Sequence, residues 1–132
     1  MNDMEVRSMS KKMEFGKVQT RIMQVLWDKK RATAREINDA LNKDGPIAHS
    51  TVYTLILGLE KKGAIAHDVD NRTYIFYPLV PNEKFVNHTV RDLIDRIFAG
   101  SAGGVVSYLL KNQFITLDEV KKISEMIKKE KQ

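Results

Sequence analysis

The sequence predicts a mainly α-helical fold with one small β-hairpin, in the order three helices, a hairpin and three more helices. Apolar residues recur at helical spacing on both sides of residues 64–77, where the pattern changes to short runs rich in β-formers. The prolines at 78 and 81 mark the start of the second helical part. We therefore expect a flexible N-terminal arm at 1–15, a first domain at 16–79 and a helical domain at 80–132.

Capping and stop signals bound the first two helices. Helix one is predicted from about Gly16 to Asp28, where apolar residues repeat at helical spacing. Thr33 and Glu36 form a capping box that opens helix two, since each side chain can bond the backbone N–H of the other residue. Residues 42–46 contain Gly and Pro and end this helix.

The third helix is predicted to have two different faces. It opens at Ser50 or a neighbour and ends at Gly63, after two lysines suited to a last turn. The apolar stripe, spaced i, i+3, i+4 and i+7, consists of Val52, Leu55, Ile56 and Leu59. The opposite, outward face carries hydroxyls, a phenol and a glycine, at Ser50, Thr51, Tyr53, Thr54 and Gly58.

Three short helices followed by a hairpin are the layout of a winged helix-turn-helix domain. The hairpin closes at residues 70–72, because Asp and Asn tolerate a positive φ. An α-helix fits the major groove of DNA, where hydroxyls and phenols bond bases and phosphates. A guanidinium at the hairpin tip can enter a minor groove or pair with phosphate. The predicted DNA contacts are Ser50, Thr51, Tyr53, Thr54, Lys61 and Arg72.

Several of these contacts have a structural alternative. Ser50 or Thr51 can serve only as the N-cap of the helix. Lys61 can be a solvated charge at the helix end, and Arg72 can stack on Tyr74 at the surface. The basic run at 29–31 is a solvated loop or a phosphate contact.

The helical domain is predicted to pair with a second copy of the chain. Its stripes hold more large aliphatic residues than three short helices can bury against one another. Gly103 and Gly104 are expected to interrupt it, and Thr116 with Glu119 caps the last helix. The alternative is an intramolecular core packed on the first domain. The expected dimer contacts are Val90, Leu93, Ile94, Ile97, Leu109, Leu110, Val120, Ile123 and Ile127.

Composition narrows the function classes. The chain has a net charge of +5, which suits a polyanionic partner, and no Cys, which excludes disulfides and thiolate metal sites. The N-terminus lacks a signal-peptide core and no run is long enough to span a bilayer, so a cytoplasmic protein is expected. His67, Asp68 and Asp70 suggest a metal site, but strand alternation separates the imidazole from the carboxylates. We expect no cofactor, no metal and no enzyme.

Residues 16–78 resemble the penicillinase-repressor family of the BlaI, MecI and CopY type. The matching segments are Val25-Leu26-Trp27, Thr33 to Ile37, Ser50 to Leu55 with Leu59 to Gly63, and the hairpin strand Arg72 to Pro78. The resemblance implies a homodimeric repressor that binds a two-fold symmetric operator and blocks transcription.

The chain departs from the family pattern at three points. Gly58 stands where the family usually has an Arg. The absence of Cys excludes the cysteine cluster of the copper-responsive branch. The Asn–Phe bond that is cleaved in the antibiotic-responsive branch is missing, and Tyr108-Leu109 is its nearest equivalent. A sensor or protease partner is therefore left open.

Two rival functions remain at this point. A winged helix can bind protein in place of DNA, and it would then show little salt-dependent DNA affinity. A repressor can also release DNA when a small ligand binds in a pocket between the hairpin and the helical domain. The sequence shows no convergent cluster of polar residues that would bind such a ligand.

Overall fold

The computed structural model describes residue 4 and residues 12–131. The chain divides into two compact units, Met1–His88 and Thr89–Gln132. Most of the predicted arm, at 1–3 and 5–11, lies outside the described residues. Met13 is buried and Phe15 packs against the core, so these two residues do not belong to a flexible arm.

From Lys17 to Pro78, the described residues of the first unit form three helices and a three-stranded antiparallel sheet. Its elements are α1 (Lys17–Lys29), β1 (Ala32–Thr33), α2 (Ala34–Leu41), a 3₁₀ turn (Asn42–Asp44), α3 (His49–Lys62), β2 (Ile65–Asp70) and β3 (Thr73–Pro78). The strand order is β1-β3-β2. The mainly helical fold class with a small hairpin is confirmed. Strand β1 was not predicted, since two residues are too few to show an alternating pattern.

The core of the first unit lies between the three helices and the sheet. Fully buried apolar side chains come from all of these layers, among them Ile22, Met23, Leu26, Ile37, Val52, Ile56, Leu59, Ile65 and Phe76. Phe76 sits on the central strand, opposite Ala32 on one side and His67 on the other. The sheet is therefore fixed to the helices through its middle strand.

The start of the fourth helix, α4 (Asn82–Ile97), is tied to this core. The Trp27 Nε1–H donates to the carbonyl of Val80 at 2.8 Å. The Phe85 ring lies 5.3 Å from Trp27 and 5.1 Å from Phe15, measured between ring centroids. The division between the units therefore falls within α4, later than the boundary expected after residue 79.

The predicted capping box is present at the start of α2. The backbone N–H of Thr33 donates to Glu36 Oε1 at 2.9 Å, and the N–H of Glu36 donates to Thr33 Oγ1 at 3.1 Å. The hydrogen bond from the Thr33 backbone, followed by that from its hydroxyl, lowers the pKa of Glu36 below its usual 4.5. The carboxylate form is therefore the one that stabilises this helix end.

A Glu36→Gln substitution is expected to change the acid sensitivity of the fold. A depressed carboxyl pKa contributes stability above the unfolded pKa, and this contribution is lost as pH falls through the folded pKa. Between about pH 7 and about pH 3, wild type should lose up to about 1 kcal/mol more than Glu36→Gln, since the group is exposed. Urea unfolding across this range measures the difference, and parallel curves would contradict it.

The second unit contains the remainder of α4 together with α5 (Ala102–Lys111) and α6 (Leu117–Glu130). The expected interruption at Gly103 and Gly104 is wrong. Both lie in the first turn of α5, where the hydroxyl of Ser101 caps the helix by accepting from the Gly104 N–H at 2.9 Å. The cap at Thr116 is confirmed, since its hydroxyl accepts from the N–H of Glu119 at 3.1 Å.

The helices α4, α5 and α6 contain no buried residue in the described chain. Their apolar stripes are instead exposed or half-buried. Ile97 is 64% exposed, and the other large apolar residues with high exposure include Val90, Leu93, Tyr108, Phe114, Ile123, Met126 and Ile127. A single copy of the chain therefore leaves these stripes largely uncovered.

Among the described residues, no single helix is long and apolar enough to cross a membrane. The pair α4 and α5, which meet at a bend of 82°, reaches the required length and composition only when the two are taken together.

Candidate nucleic-acid interface

Helix α3 presents one outward stripe opposite its buried face. Val52, Ile56 and Leu59 are fully buried. The opposite side is exposed along the whole helix, at positions spaced i, i+4, i+7 and i+11: Ser50, Thr54, Leu57 and Lys61. We call these four residues the outward stripe. Leu57 was not expected there, because it belongs to an apolar run of three residues.

The two edges of the stripe contact different neighbours. On one edge, a Cβ added at Gly58 would lie 3.4 Å from Gln19 Nε2 of α1. Gly58 is half-buried, with the Gln19 side chain beside it, so it lies at the edge of the outward face and not in the exposed stripe. Lys62 lies on the same edge, with its Nζ 3.3 Å from Gln19 Oε1. On the other edge, Tyr53 is 37% exposed and faces the hairpin.

The beginning of α3 is open to solvent. Its N-cap is Ala48, which has no side chain that could accept a hydrogen bond. The alternative that Ser50 or Thr51 is the N-cap is therefore wrong, and both side chains are exposed. The Thr54 hydroxyl donates to the carbonyl of Ser50 at 2.9 Å. The first backbone N–H groups of the helix remain available to an anion.

The hairpin ends in a two-residue turn whose central residues are both left-handed. Asn71 has φ 48° and Arg72 has φ 69°, as a type I′ turn requires. Asn-Gly is the sequence that suits this turn best, so an Arg at the second position carries backbone strain. Tyr74 stacks on His67, with centroids 4.0 Å apart, and the described chain shows no stacking of Arg72 on Tyr74.

A groove of about 390 Å³ joins the start of α2, the outward face of α3 and the hairpin. Its lining combines two arginines, two threonines and aromatic rings: Thr33, Ala34, Arg35, Tyr53, Arg72, Thr73, Tyr74 and Phe76. Arg35 was not among the predicted contacts. It could have been found from the sequence, because it occupies the exposed first turn right after the N-cap Thr33.

Side-chain pairs hold the hairpin against the helices. His67 Nδ1 bonds Glu60 Oε1 and so links the end of α3 to β2. Arg31 pairs with Asp68 and lies 5.0 Å above the centroid of the Tyr77 ring. Arg31 is thus engaged with the hairpin. His67 and Asp68 have different partners, and the described residues contain no group of three or more potential metal ligands.

The fold and the exposed surface of α3 together define a class of protein. Three helices and a hairpin form the fold. The exposed face of the third helix is rich in hydroxyls and lies beside a groove that is lined by arginines. This is the arrangement of a winged-helix DNA-binding regulator. The family model described as Penicillinase repressor matches residues 15–129. The chain therefore belongs to the penicillinase repressor family, and it is a DNA-binding transcriptional repressor.

Curated relatives of similar length match most of the chain. The methicillin resistance regulatory protein MecI of Mammaliicoccus sciuri is 25% identical over 120 residues, covering 91% of this chain and 98% of the relative. The penicillinase repressor of Bacillus licheniformis is 21% identical over 123 residues, with 93% and 96% covered. The first of these relatives is named a regulatory protein and the second a repressor.

A solved structure shares the fold. The chain described in "The complex structure of hsRosR-S4" superposes with a TM-score of 0.54 at 17% identity. The match covers 80% of this chain and 95% of the other. At this identity the likeness concerns the fold alone.

Proposed function

We propose that the protein is a homodimeric repressor that binds a two-fold symmetric operator, with α3 in the major groove of each half-site. The observation that carries this proposal is the exposed stripe of α3, with the groove that holds Arg35 and Arg72 beside it. Ser50, Thr51, Tyr53 and Thr54 would contact bases or phosphates, and Lys61 a phosphate. We further propose that it acts in the cytoplasm, without a cofactor and without catalysis.

The second unit supports the homodimer. None of its described residues is buried in the single chain, although each helix has an apolar stripe. Pairing with a second copy would cover the predicted contacts, at Val90, Leu93, Ile94, Ile97, Leu109, Leu110, Val120, Ile123 and Ile127. A two-fold dimer would also place two copies of α3 about 34 Å apart or at a multiple of that spacing, as successive turns of DNA require.

Arg72 and the groove suggest how the DNA backbone is held. Arg35 from α2 and Arg72 from the hairpin line the same groove, and both are exposed. Two guanidinium groups in the lining of one groove suit a phosphate backbone running along it. The strained turn at Arg72 supports this role, since a glycine there would relieve the strain and lose the charge.

An Arg72→Gly substitution is expected to separate stability from binding. Glycine adopts a positive φ freely, so the free energy of unfolding should stay the same or rise by up to about 1 kcal/mol. DNA affinity should fall for all sequences, and the slope of log K against log salt should decrease by about one. Arg72→Ala, which keeps the backbone restricted, is the matched control for the loss of charge and should weaken binding equally. An unchanged salt slope in both variants would contradict the phosphate contact.

Selection of bound sequences from random DNA tests the proposed function. The purified protein should enrich an inverted repeat, and Tyr53→Ala and Thr54→Ala should each shift the preferred base at one position of the half-site. The exposed control Lys43→Ala, in the 3₁₀ turn, should leave the preference unchanged. The absence of enrichment, together with no affinity at low salt, would overturn the function.

A protein-binding winged helix is the second candidate. The exposure of Leu57, at 41%, favours it, because an apolar side chain on an outward face can be buried against a protein partner. The surrounding arginines favour DNA. Salt-dependent DNA affinity distinguishes the two candidates, since only the first requires it.

A further inference from the structure

The centre of the outward stripe is apolar. Leu57 is 41% exposed and lies one turn after Thr54. The hydroxyl proton of Thr54 is used within the helix, since it is donated to the Ser50 carbonyl at 2.9 Å. What Thr54 offers a partner is therefore an acceptor oxygen and a methyl group. Two successive turns of α3 therefore present apolar groups, the Thr54 methyl and the Leu57 side chain. Recognition by hydrogen bonds alone would place polar groups at these positions.

Hydroxyl and cationic side chains lie before and after this apolar centre along the stripe. Lys61 follows it on the stripe, and Arg35 and Arg72 line the adjoining groove. A partner that fits has anionic groups around an apolar one. In the major groove of DNA, the 5-methyl of thymine is the apolar group on the base edges, and phosphates lie on both sides of the groove.

We propose that Leu57, together with the methyl group of Thr54, recognises the 5-methyl group of a thymine in each operator half-site. The inference rests on the proposed function, because it requires α3 in the major groove. Leu57 is then a specificity-determining residue, which distinguishes thymine from cytosine by burying a methyl group. It does not add a phosphate contact, so the salt dependence of binding does not involve it.

Deoxyuridine in place of thymine tests this directly, because the two bases differ only by the methyl group. In the operator obtained by selection, thymines are replaced one at a time in one half-site. One replacement should raise the Kd of the wild type about fourfold, which corresponds to about 0.8 kcal/mol, and replacement in both half-sites about 16-fold. With Leu57→Ala, the effect of deoxyuridine should fall well below fourfold, since only the Thr54 methyl group remains to contact the base, and the salt slope should equal that of the wild type.

The control is Leu79→Ala, since Leu79 is another leucine of similar exposure, 52%, that lies outside α3. It should keep the full effect of deoxyuridine. Leu57→Gln, which retains a helix-forming side chain of similar length, is a second variant expected to lose most of that effect. The inference is overturned if no deoxyuridine changes the Kd of the wild type, or if both Leu57 variants keep the fourfold effect. A selection that yields no operator would instead overturn the proposed function.

Discussion

Introducing charge into the apolar stripe of α4, with Leu93→Glu and Ile97→Glu together, should convert the protein to a monomer and reduce operator affinity more than about 100-fold. Leu93 and Ile97 are 41% and 64% exposed and lie one turn apart on the same stripe. In the proposed dimer, four carboxylates would be buried without partners, at a cost of several kcal/mol. Each 1.4 kcal/mol lost is about a factor of ten in affinity.

Sedimentation equilibrium and operator titration measure the two effects separately. Asp95→Lys is the matched control, because it also changes a charge in α4. Asp95 is two residues from each of the two apolar positions and so lies on the other side of the helix. It should leave the protein dimeric. A double variant that remains dimeric would exclude this stripe from the interface.

The second large effect is expected from Phe76→Ala in the first unit. Phe76 is fully buried on the central strand, and its ring makes edge contacts with His67 and Tyr74, at centroid distances of 5.7 Å and 6.3 Å. Truncation of such a side chain leaves a cavity and costs about 3–5 kcal/mol. This is a large part of the 5–15 kcal/mol or so by which a typical domain is stable.

Chemical denaturation measures this cost, and the thermal midpoint should fall by more than about 12 °C. Phe76→Leu is the control, since it keeps most of the apolar volume and should cost clearly less. Because the hairpin is attached to the helices through this residue, Phe76→Ala should also weaken DNA binding at temperatures where the protein remains folded. A loss of less than about 1 kcal/mol would show that the site closes around the smaller side chain.

The sequence was sufficient to predict the elements whose signals are local. The predicted caps at Thr33 and Thr116 lie where helices α2 and α6 begin, although only Thr33 forms the reciprocal capping box. The interruption at Gly103 and Gly104 was wrong, because a first turn tolerates glycine when a side chain such as Ser101 caps it. Strand β1 was missed because its pairing partners, in β3, are far away in the sequence.

The candidate interface was predictable where helical phase alone decides the outcome. The exposure of Ser50 and Thr54 follows from the buried stripe on the opposite side of α3. The same phase places Leu57 outward, but hydropathy assigns a leucine to the core. Gly58 required tertiary information, because only the position of α1 shows that Gln19 lies against it. Arg35 and Arg72 meet in one groove for the same reason.

No described residue of the second unit is buried, and this has a consequence for gene control. In the proposed dimer, the second unit acquires its core only from a second chain. Assembly therefore depends on the concentration of the protein in the cell. At concentrations well below the dimer Kd, the amount of dimer rises with the square of the total protein. Halving the supply of repressor would then leave about a quarter of the operator-binding species. Expression of the target gene would therefore respond steeply to repressor dosage, before any inducing signal acts.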